Sequence, residues 1–401
     1  MRILIADEFS KTHLDALAQL GVDVTYQPGA GAEALPALAK DVAVLVVRST
    51  EVKRAVFEQA HALSLVIRAG AGVNTIDVGA ASERGVFVAN CPGQNAIAVA
   101  ELTFGLLLAA DRRIPENVQQ LREGKWNKKE FSKAQGVYGR TLGVVGLGSI
   151  GLAVAERARA FGMRVVAHSR SLSAARARAL GVEHASDLVA LARQCDALSV
   201  HVPGGAATKG LISSAVLAGL KDGALFLNTS RADVVDQAAL LKEAQSGRLR
   251  VGADVFADEP RGGKADWTSA LTSLGNVYGT HHIGASTEQA QEAIAAEAVR
   301  IVECFLTRGE VPNCVNVARR TPARFQLLVR HHDQVGVLAN VLGELREARI
   351  NAQEIENTIF EGAAAACCKI QLDSRPTDEV MQRIAARTSE VIFVDLVELK
   401  A

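Results

Sequence analysis

The sequence predicts an α/β protein: two doubly wound parallel-sheet domains of Rossmann or flavodoxin type, then a smaller ferredoxin-like βαββαβ domain. Three observations predict it. Short apolar runs alternate with helical stretches from the N-terminus to about residue 283, the grammar of βα units in a parallel sheet. Within that region Gly146, Gly148 and Gly151 spell G-x-G-x-x-G between an apolar run and a helical stretch. Past Pro312 and Pro322 the order becomes strand, helix, two strands, helix, strand.

The bulk numbers narrow the class. The 401 residues include 44 basic and 44 acidic ones, so the formal net charge is zero. That gives no electrostatic case for nucleic acid or an anionic membrane. The most apolar long stretch, Ile97 to Ala110, is interrupted by Glu101 and is too short to span a bilayer. The N-terminus lacks the apolar core and cleavage site of a signal peptide. Cys91, Cys195, Cys304, Cys314, Cys367 and Cys368 show no C-x-x-C spacing. Ordinary thiols in a reduced, cytoplasmic compartment are expected, with no metal site.

In the first 95 residues, Ile3–Ala6, Val22–Tyr26, Val42–Val47, Leu65–Arg68 and Val86–Ala89 read as strands. Two of them end in charge, at the edge where such a sheet places its ligands. Arg48-Ser49-Thr50 follows one, and Arg68-Ala69-Gly70-Ala71-Gly72-Val73-Asn74 begins at the end of the other. The glycine-rich segment offers backbone N–H groups suited to a carboxylate. Both arginines read equally well as surface charges at loop starts. Asn95 to Ile114 is a long helical stretch leading into the next domain, and Arg122 to Lys129 is a short basic segment around Trp126.

Thr141–Val145 reads as a buried strand and Ser149–Phe161 as the helix after the glycine loop. Gly146 allows the tight turn, Gly148 admits a pyrophosphate and Gly151 lets helix and strand pack closely. The helix N-terminus, with Ser149 and Ile150, offers free N–H groups to phosphate. The next strand, Arg164–His168, should be followed by an acid for the adenosine ribose hydroxyls. Ser169-Arg170 stands there instead, a pair suited to a 2′-phosphate, so both NAD and NADP remain open.

Further strands at Ala197–Val202, Ala224–Asn228, Arg250–Val255 and Val277–Thr280 end in polar residues. Arg231 follows the second of these, Asp254 to Glu259 the third, and His281-His282 the last. An arginine, a glutamate and a histidine at three successive strand ends would converge on one crevice. Ser286 with Gln289 reads as a capping box for a helix running to about Leu306. From Arg324 the strands are Phe325–Val329, Ala352–Ile359, Ala364–Leu372 and Val391–Leu399, with helices at Val337–Arg346 and Thr377–Arg387.

These residues resemble the D-isomer-specific 2-hydroxyacid dehydrogenases over essentially the whole chain. The pieces that carry the resemblance are Arg68 to Val73, Gly124-Lys125-Trp126, Thr141 to Gly148, Asp254-Val255-Phe256 with Glu259-Pro260, and His282 to Thr287. The C-terminal piece is similar to an ACT regulatory domain, with His332 to Leu338 at its first loop. The resemblance implies that Arg231 binds the substrate carboxylate, that His282 is the general acid/base, and that Glu259 holds it. It implies that Ser149, Ile150, Thr229, Ser230, Asp254, Gly284 and Ala285 line a nicotinamide dinucleotide, NAD with NADP possible. Gly70, Gly72, Val73 and Asn74 match the segment that receives the carboxylate. The expected substrate is 3-phosphoglycerate, oxidised to 3-phosphohydroxypyruvate at the entry to serine synthesis. Arg48, Ser49 and Arg68 are then candidates for its phosphate, with Lys128 and Lys129 from a partner subunit. A glyoxylate or hydroxypyruvate reductase, or a non-catalytic nucleotide-sensing corepressor, are the alternatives. The chemistry suits the residue types: removing a hydride and a proton calls for a base near neutrality, and a guanidinium can hold a 2-oxo acid at two points.

Four departures from the family pattern stand out: His281 before His282, Ala232-Asp233 after Arg231, Ser169-Arg170, and Val335 in the ACT-like loop. The expected organisation is a substrate domain of residues 1–95 with 284–318, a dinucleotide domain of 96–283 and an ACT-like domain of 319–401. A homodimer or homotetramer is expected, with an amino-acid effector such as L-serine at the ACT-like domain.

Overall fold

The computed structural model describes residues 1–260, 264–318 and 321–399. They form two compact units, Met1–Asn316 and Val317–Ala401. The first unit holds two sheets. β1 (Arg2–Ile5), β2 (Asp23–Tyr26), β3 (Val44–Val47), β4 (Leu65–Arg68) and β5 (Phe87–Asn90) pair in parallel in the order β2-β1-β3-β4-β5. β6 (Thr141–Val145), β7 (Arg164–His168), β8 (Glu183–His184), β9 (Ala197–Val200), β10 (Leu225–Asn228), β11 (Arg250–Ala253) and β12 (Val277–Gly279) form the second, ordered β12-β11-β10-β9-β6-β7-β8. The strand order reverses between β6 and β9, where doubly wound sheets open their ligand crevice.

The central strands carry unbroken apolar runs because both sheet faces are covered. β3, β9 and β10 are buried at every residue. One face of the first sheet packs Leu4, Leu45 and Val66 against short helices. The other packs Ile3, Ile5, Val44 and Ile67 against Ile294, Ala298, Ile301 and Val302. Those last four lie on the Glu288–Arg308 helix, so the chain returns to the first sheet after completing the second. The Ala96–Arg112 helix packs on the second sheet, where its Leu106 and Leu107 join Leu142, Val144 and Leu227. It stops at Arg113, in the left-handed conformation, and a separate helix runs over Ile114–Arg122.

One expectation is corrected, and one strand lies beyond those expected. The Glu288–Arg308 helix is capped not by Ser286 and Gln289 but by Thr287, which is extended and whose side chain accepts the Ala290 N–H. Ser286 is occupied one residue earlier, its N–H donating to the Ile283 carbonyl at 2.8 Å. β8 has no counterpart in the sequence reading, since two exposed residues at a sheet edge leave no apolar period to detect.

The second unit is a four-stranded antiparallel sheet, ordered β14-β15-β13-β16, of β13 (Phe325–His332), β14 (Ala352–Ile359), β15 (Ala365–Leu372) and β16 (Val391–Glu398). Helices Val337–Glu347 and Asp378–Ala385 cover one face, with Val341, Leu345, Val380 and Ile384 packed against Leu327, Val329, Cys368 and Ile370. This is the ferredoxin-like βαββαβ order. No helix among the described residues is long and apolar enough to cross a membrane.

The glycine turn leaves no room for a side chain at Gly151, on the helix that follows it. A Cβ on Gly151 would run into the Gly146 carbonyl. Gly151→Val should therefore separate helix from strand, and calorimetry should show a lower unfolding temperature together with loss of dinucleotide binding. An unchanged melting curve would contradict this packing.

Candidate active site

β6 is followed by Gly146, whose φ of 90° L side chains rarely adopt. A side chain there would also meet the His201 carbonyl. Gly148 faces open space and caps the Ser149–Ala160 helix, with Ser149 exposed and Ile150 half-buried in its first turn. A buried strand, an open glycine and a helix N-terminus together leave bare N–H groups at the sheet's ligand edge. That cradle fits a pyrophosphate. The Gly146 N–H donates to the His168 carbonyl at 2.9 Å, which brings Ser169 and Arg170, just past β7, beside the loop.

Beyond β10, Asn228 shapes the turn. Its Oδ1 accepts the Ser230 N–H at 3.0 Å and the Ser230 hydroxyl at 2.8 Å, while its Nδ2 donates to the Arg231 carbonyl at 2.9 Å. Thr229 and Ser230 are buried, the Thr229 hydroxyl 2.9 Å from that of Thr103. Arg231 emerges half-buried, its Nη1 donating to the Ser230 carbonyl at 2.7 Å.

Beyond β11, Asp254 is 1% exposed. Its Oδ1 accepts the Thr280 hydroxyl at 2.6 Å and the Ile283 N–H at 2.9 Å, and its Oδ2 accepts the Gly284 N–H at 2.8 Å. These bonds fix the backbone on both sides of His282, whose φ is 52°. That conformation is costly for a residue other than glycine and persists only where its surroundings impose it. The ring then meets Glu259, Nδ1 lying 2.5 Å from Oε1, and Glu259 Oε2 accepts the Phe256 N–H at 3.1 Å. Burial pushes the Glu259 carboxyl up. The bonds from His282 and Phe256, with the charges of His282 and Arg231, outweigh burial and hold it below the usual carboxylate range. Glu259 is thus an anion at neutral pH, able to accept Nδ1–H and leave the His282 Nε2 as the free ring nitrogen. Glu259 meets His282, not His281.

Three loops of the first sheet face this edge. Asp7, just past β1, accepts the N–H groups of Arg48, Ser49 and Thr50 at 2.6, 3.1 and 3.1 Å, and the Thr50 hydroxyl at 2.9 Å. Arg48 and Ser49 can therefore offer a ligand only their side chains. Arg68 folds its guanidinium over Gly70, and its buried Nε has no hydrogen-bond partner. Burial first, then the charges of Arg231 and Arg48, pull the Arg68 pKa below its ordinary value. The Gly70–Asn74 loop is pinned by Asn90 Nδ2 on the Ala71 carbonyl at 2.6 Å and by the Cys91 N–H on the Gly70 carbonyl at 2.9 Å. A Cβ on Gly72 would sit 3.1 Å from both Arg231 Nη2 and Asn74 Oδ1. The arginine of the second sheet thus reaches the loop of the first.

Some candidates contribute less than the sequence suggests. Val73 packs its side chain against the first-sheet core, leaving only its backbone for a ligand. The Ala285 carbonyl is already bonded to Gln291 Nε2 at 2.9 Å. Lys128 and Lys129 lie exposed on a short helix, Lys128–Phe131. The sequence reading missed the supporting roles of Asp7, Asn90, Asn228 and Thr280. Asp7 gave a signal, an acid closing the first strand.

Residues 104–284 match the family model described as D-isomer specific 2-hydroxyacid dehydrogenase, NAD binding domain. The chain is 37% identical over 371 residues to a D-3-phosphoglycerate dehydrogenase of Methanocaldococcus jannaschii, covering 91% of this chain and 68% of that protein. It is 42% identical over 261 residues to a hydroxypyruvate reductase of Thermotoga maritima, covering 65% of this chain and 83% of that one. The crystal structure of the TT0316 protein from Thermus thermophilus superposes with a TM-score of 0.70 at 33% identity, over 79% of this chain and 100% of that chain. The chain belongs to the D-isomer-specific 2-hydroxyacid dehydrogenase family. It spans about two thirds of the length of the archaeal relative, 68%.

Asp254→Asn tests the support of the His282 loop, because one amide group would turn its own N–H toward an N–H it must accept. Turnover should fall at least about tenfold, the effect of losing a buried charged acceptor. Hydrogen exchange at Ile283 and Gly284 should speed up. Unaltered exchange at both amides would show that the loop holds itself.

Proposed function

We propose that this chain oxidises 3-phosphoglycerate to 3-phosphohydroxypyruvate, the first step of serine synthesis. The observation that carries the reading is a group of three guanidiniums, Arg68 in the field of both Arg48 and Arg231, with Arg231 also acting on Glu259 of the Glu259–His282 pair. In a chain of zero net charge, packing three cations together and partly burying one costs stability unless an anion with more than one charged group joins them. A carboxylate at one end and a phosphate at the other meet that need. A carboxylate alone leaves it half met.

In this reading Arg231 and the N–H groups of Gly70 to Asn74 hold the carboxylate, and the guanidinium also polarises the oxygen on C2. Arg48 and Arg68, with the Ser49 hydroxyl, hold the phosphate. His282 Nε2 takes the proton from the C2 hydroxyl, while Glu259 accepts Nδ1–H, fixes the tautomer and stabilises the imidazolium that forms. Gly146, Gly148 and Gly151 would hold a nicotinamide dinucleotide, which would supply the hydride acceptor. Ser149, Ile150, Thr229, Ser230, Asp254, Gly284 and Ala285 surround its place.

The domains divide as residues 1–95 with 284–318 for substrate, 96–283 for the dinucleotide and 319–401 as an ACT-like regulatory module. Arg319 and Arg320, at that last boundary, lie outside the described residues. The module takes an amino-acid effector such as L-serine, and the protein works in the cytoplasm as a homodimer or homotetramer. The hydroxypyruvate reductase of Thermotoga maritima supports a second reading, in which the substrate carries no phosphate.

The assay is dinucleotide reduction with 3-phosphoglycerate. His282→Ala should lower kcat by about 10²–10⁴-fold, the usual worth of a general base. Turnover that survives this change would overturn the mechanism. Arg48→Ala should raise KM for the phosphorylated acid by roughly 10-fold or more, as expected for one lost charged contact, and leave that for an unphosphorylated acid nearly unchanged. Equal effects on both acids would favour the second reading. For the regulatory module, a calorimetric titration with L-serine should show saturable heat, and a flat titration would remove serine as its effector.

A further inference from the structure

Ala232-Asp233, the pair that departs from the family pattern after Arg231, places an acid beside the proposed carboxylate site. Ala232–Val234 is a single 3₁₀ turn, and the Gly210 N–H donates to the Asp233 carbonyl at 2.8 Å, so the backbone there is fixed. The exposed Asp233 side chain reaches toward Gly204. A Cβ on Gly204 would lie 3.0 Å from Arg231 Cγ and 3.3 Å from Asp233 Oδ1. Only because residue 204 lacks a side chain do the carboxylate and the arginine stem flank the same point.

Asp233 does not hold the guanidinium. Arg231 Nη1 donates to the Ser230 carbonyl at 2.7 Å, and Nη2 lies 3.1 Å from where a Gly72 side chain would begin. The fork is engaged elsewhere, and Asp233 acts by charge rather than by contact. The other end of the cleft differs. There Arg48 and Arg68 lie close enough to act on each other. Acids are present too, Glu8, Glu288 and Glu292 along the cavity beside Arg48, but a phosphate meets two guanidiniums there instead of one.

We propose that Asp233 sets the direction in which the substrate binds, by disfavouring a dianion at Arg231. The inference rests on the reading of 3-phosphoglycerate as the substrate. That acid is anionic at both ends: its carboxylate carries one negative charge, and its phosphate carries close to two at about pH 8. Either anion fits a guanidinium. Repulsion by Asp233 is about twice as strong for the phosphate as for the carboxylate, because Coulomb energy scales with charge. With the carboxylate on Arg231, the next carbon is C2, whose hydroxyl faces His282. In the reverse direction the next carbon is C3, which bears the phosphate ester and no free hydroxyl. The reversed complex is occupied but inert.

The test is steady-state oxidation of 3-phosphoglycerate by the full-length protein at about pH 8 and low salt, where surface charge is least screened. Asp233→Asn should lower kcat and KM together, by about threefold or more, and leave kcat/KM at or above its unmodified value. An inert complex ties up enzyme without touching kcat/KM, which compares the transition state with free enzyme and substrate. Damage to the site would lower that ratio. Asp233→Lys should deepen the fall in kcat, Asp233→Glu should restore it, and high salt should shrink the difference. A kcat that Asp233→Asn leaves in place overturns the proposal, as does a fall in kcat with KM unchanged or raised. If the unmodified protein fails to oxidise 3-phosphoglycerate, the substrate reading falls and this inference falls with it.

Discussion

The Asp254 carboxylate is almost wholly buried, and its charge is met by three neutral donors from one loop, the Thr280 hydroxyl and the N–H groups of Ile283 and Gly284. A buried anion must find such partners or lose several kcal/mol of solvation, so the loop has little freedom to lie elsewhere. That constraint delivers His282 to Glu259, since the fixed peptides flank it on both sides. Glu259 in turn is held by the Phe256 N–H, two residues beyond Asp254. One strand end thereby positions both Glu259 and His282, whose flanking backbone is held by the Phe256, Ile283 and Gly284 N–H groups.

Charge in this molecule is arranged locally, because globally it cancels. The arginines at the end of β3 and past β10 act on Arg68 across the gap between the two sheets, and Arg170, Arg176 and Arg178, past β7, are exposed. The first group is unfavourable for the protein alone, and the proposed function makes it favourable around an anionic substrate.

Much of the fold was legible because parallel sheets write themselves as separate apolar runs. β4, β6, β7 and β14 have the predicted limits to the residue. The glycine turn was legible because three steric demands fall within six positions. Arg231, Glu259 and His282 could be picked out as strand-end residues, and the family resemblance already paired Glu259 with His282 rather than His281; the coordinates supply the contact itself. Asp7 directly follows the first strand, but its partners lie 41 to 43 positions away. Periodicity and local spacing carry no record of such pairings. The cap at Thr287 was misplaced for the opposite reason: two neighbouring hydroxyl residues both suit the role, and a turn back to Ile283 decides between them.

The left-handed backbone at His282 sets stability and chemistry against each other at a single position. Glycine or asparagine would sit there with less strain, but neither can carry a proton through a reaction near neutral pH. Imidazole is kept against the preference of the peptide that bears it. Lineages that abandon catalysis while keeping the fold are therefore free to relax at this residue first. A glycine or asparagine at the equivalent place would mark a descendant that has become a binder.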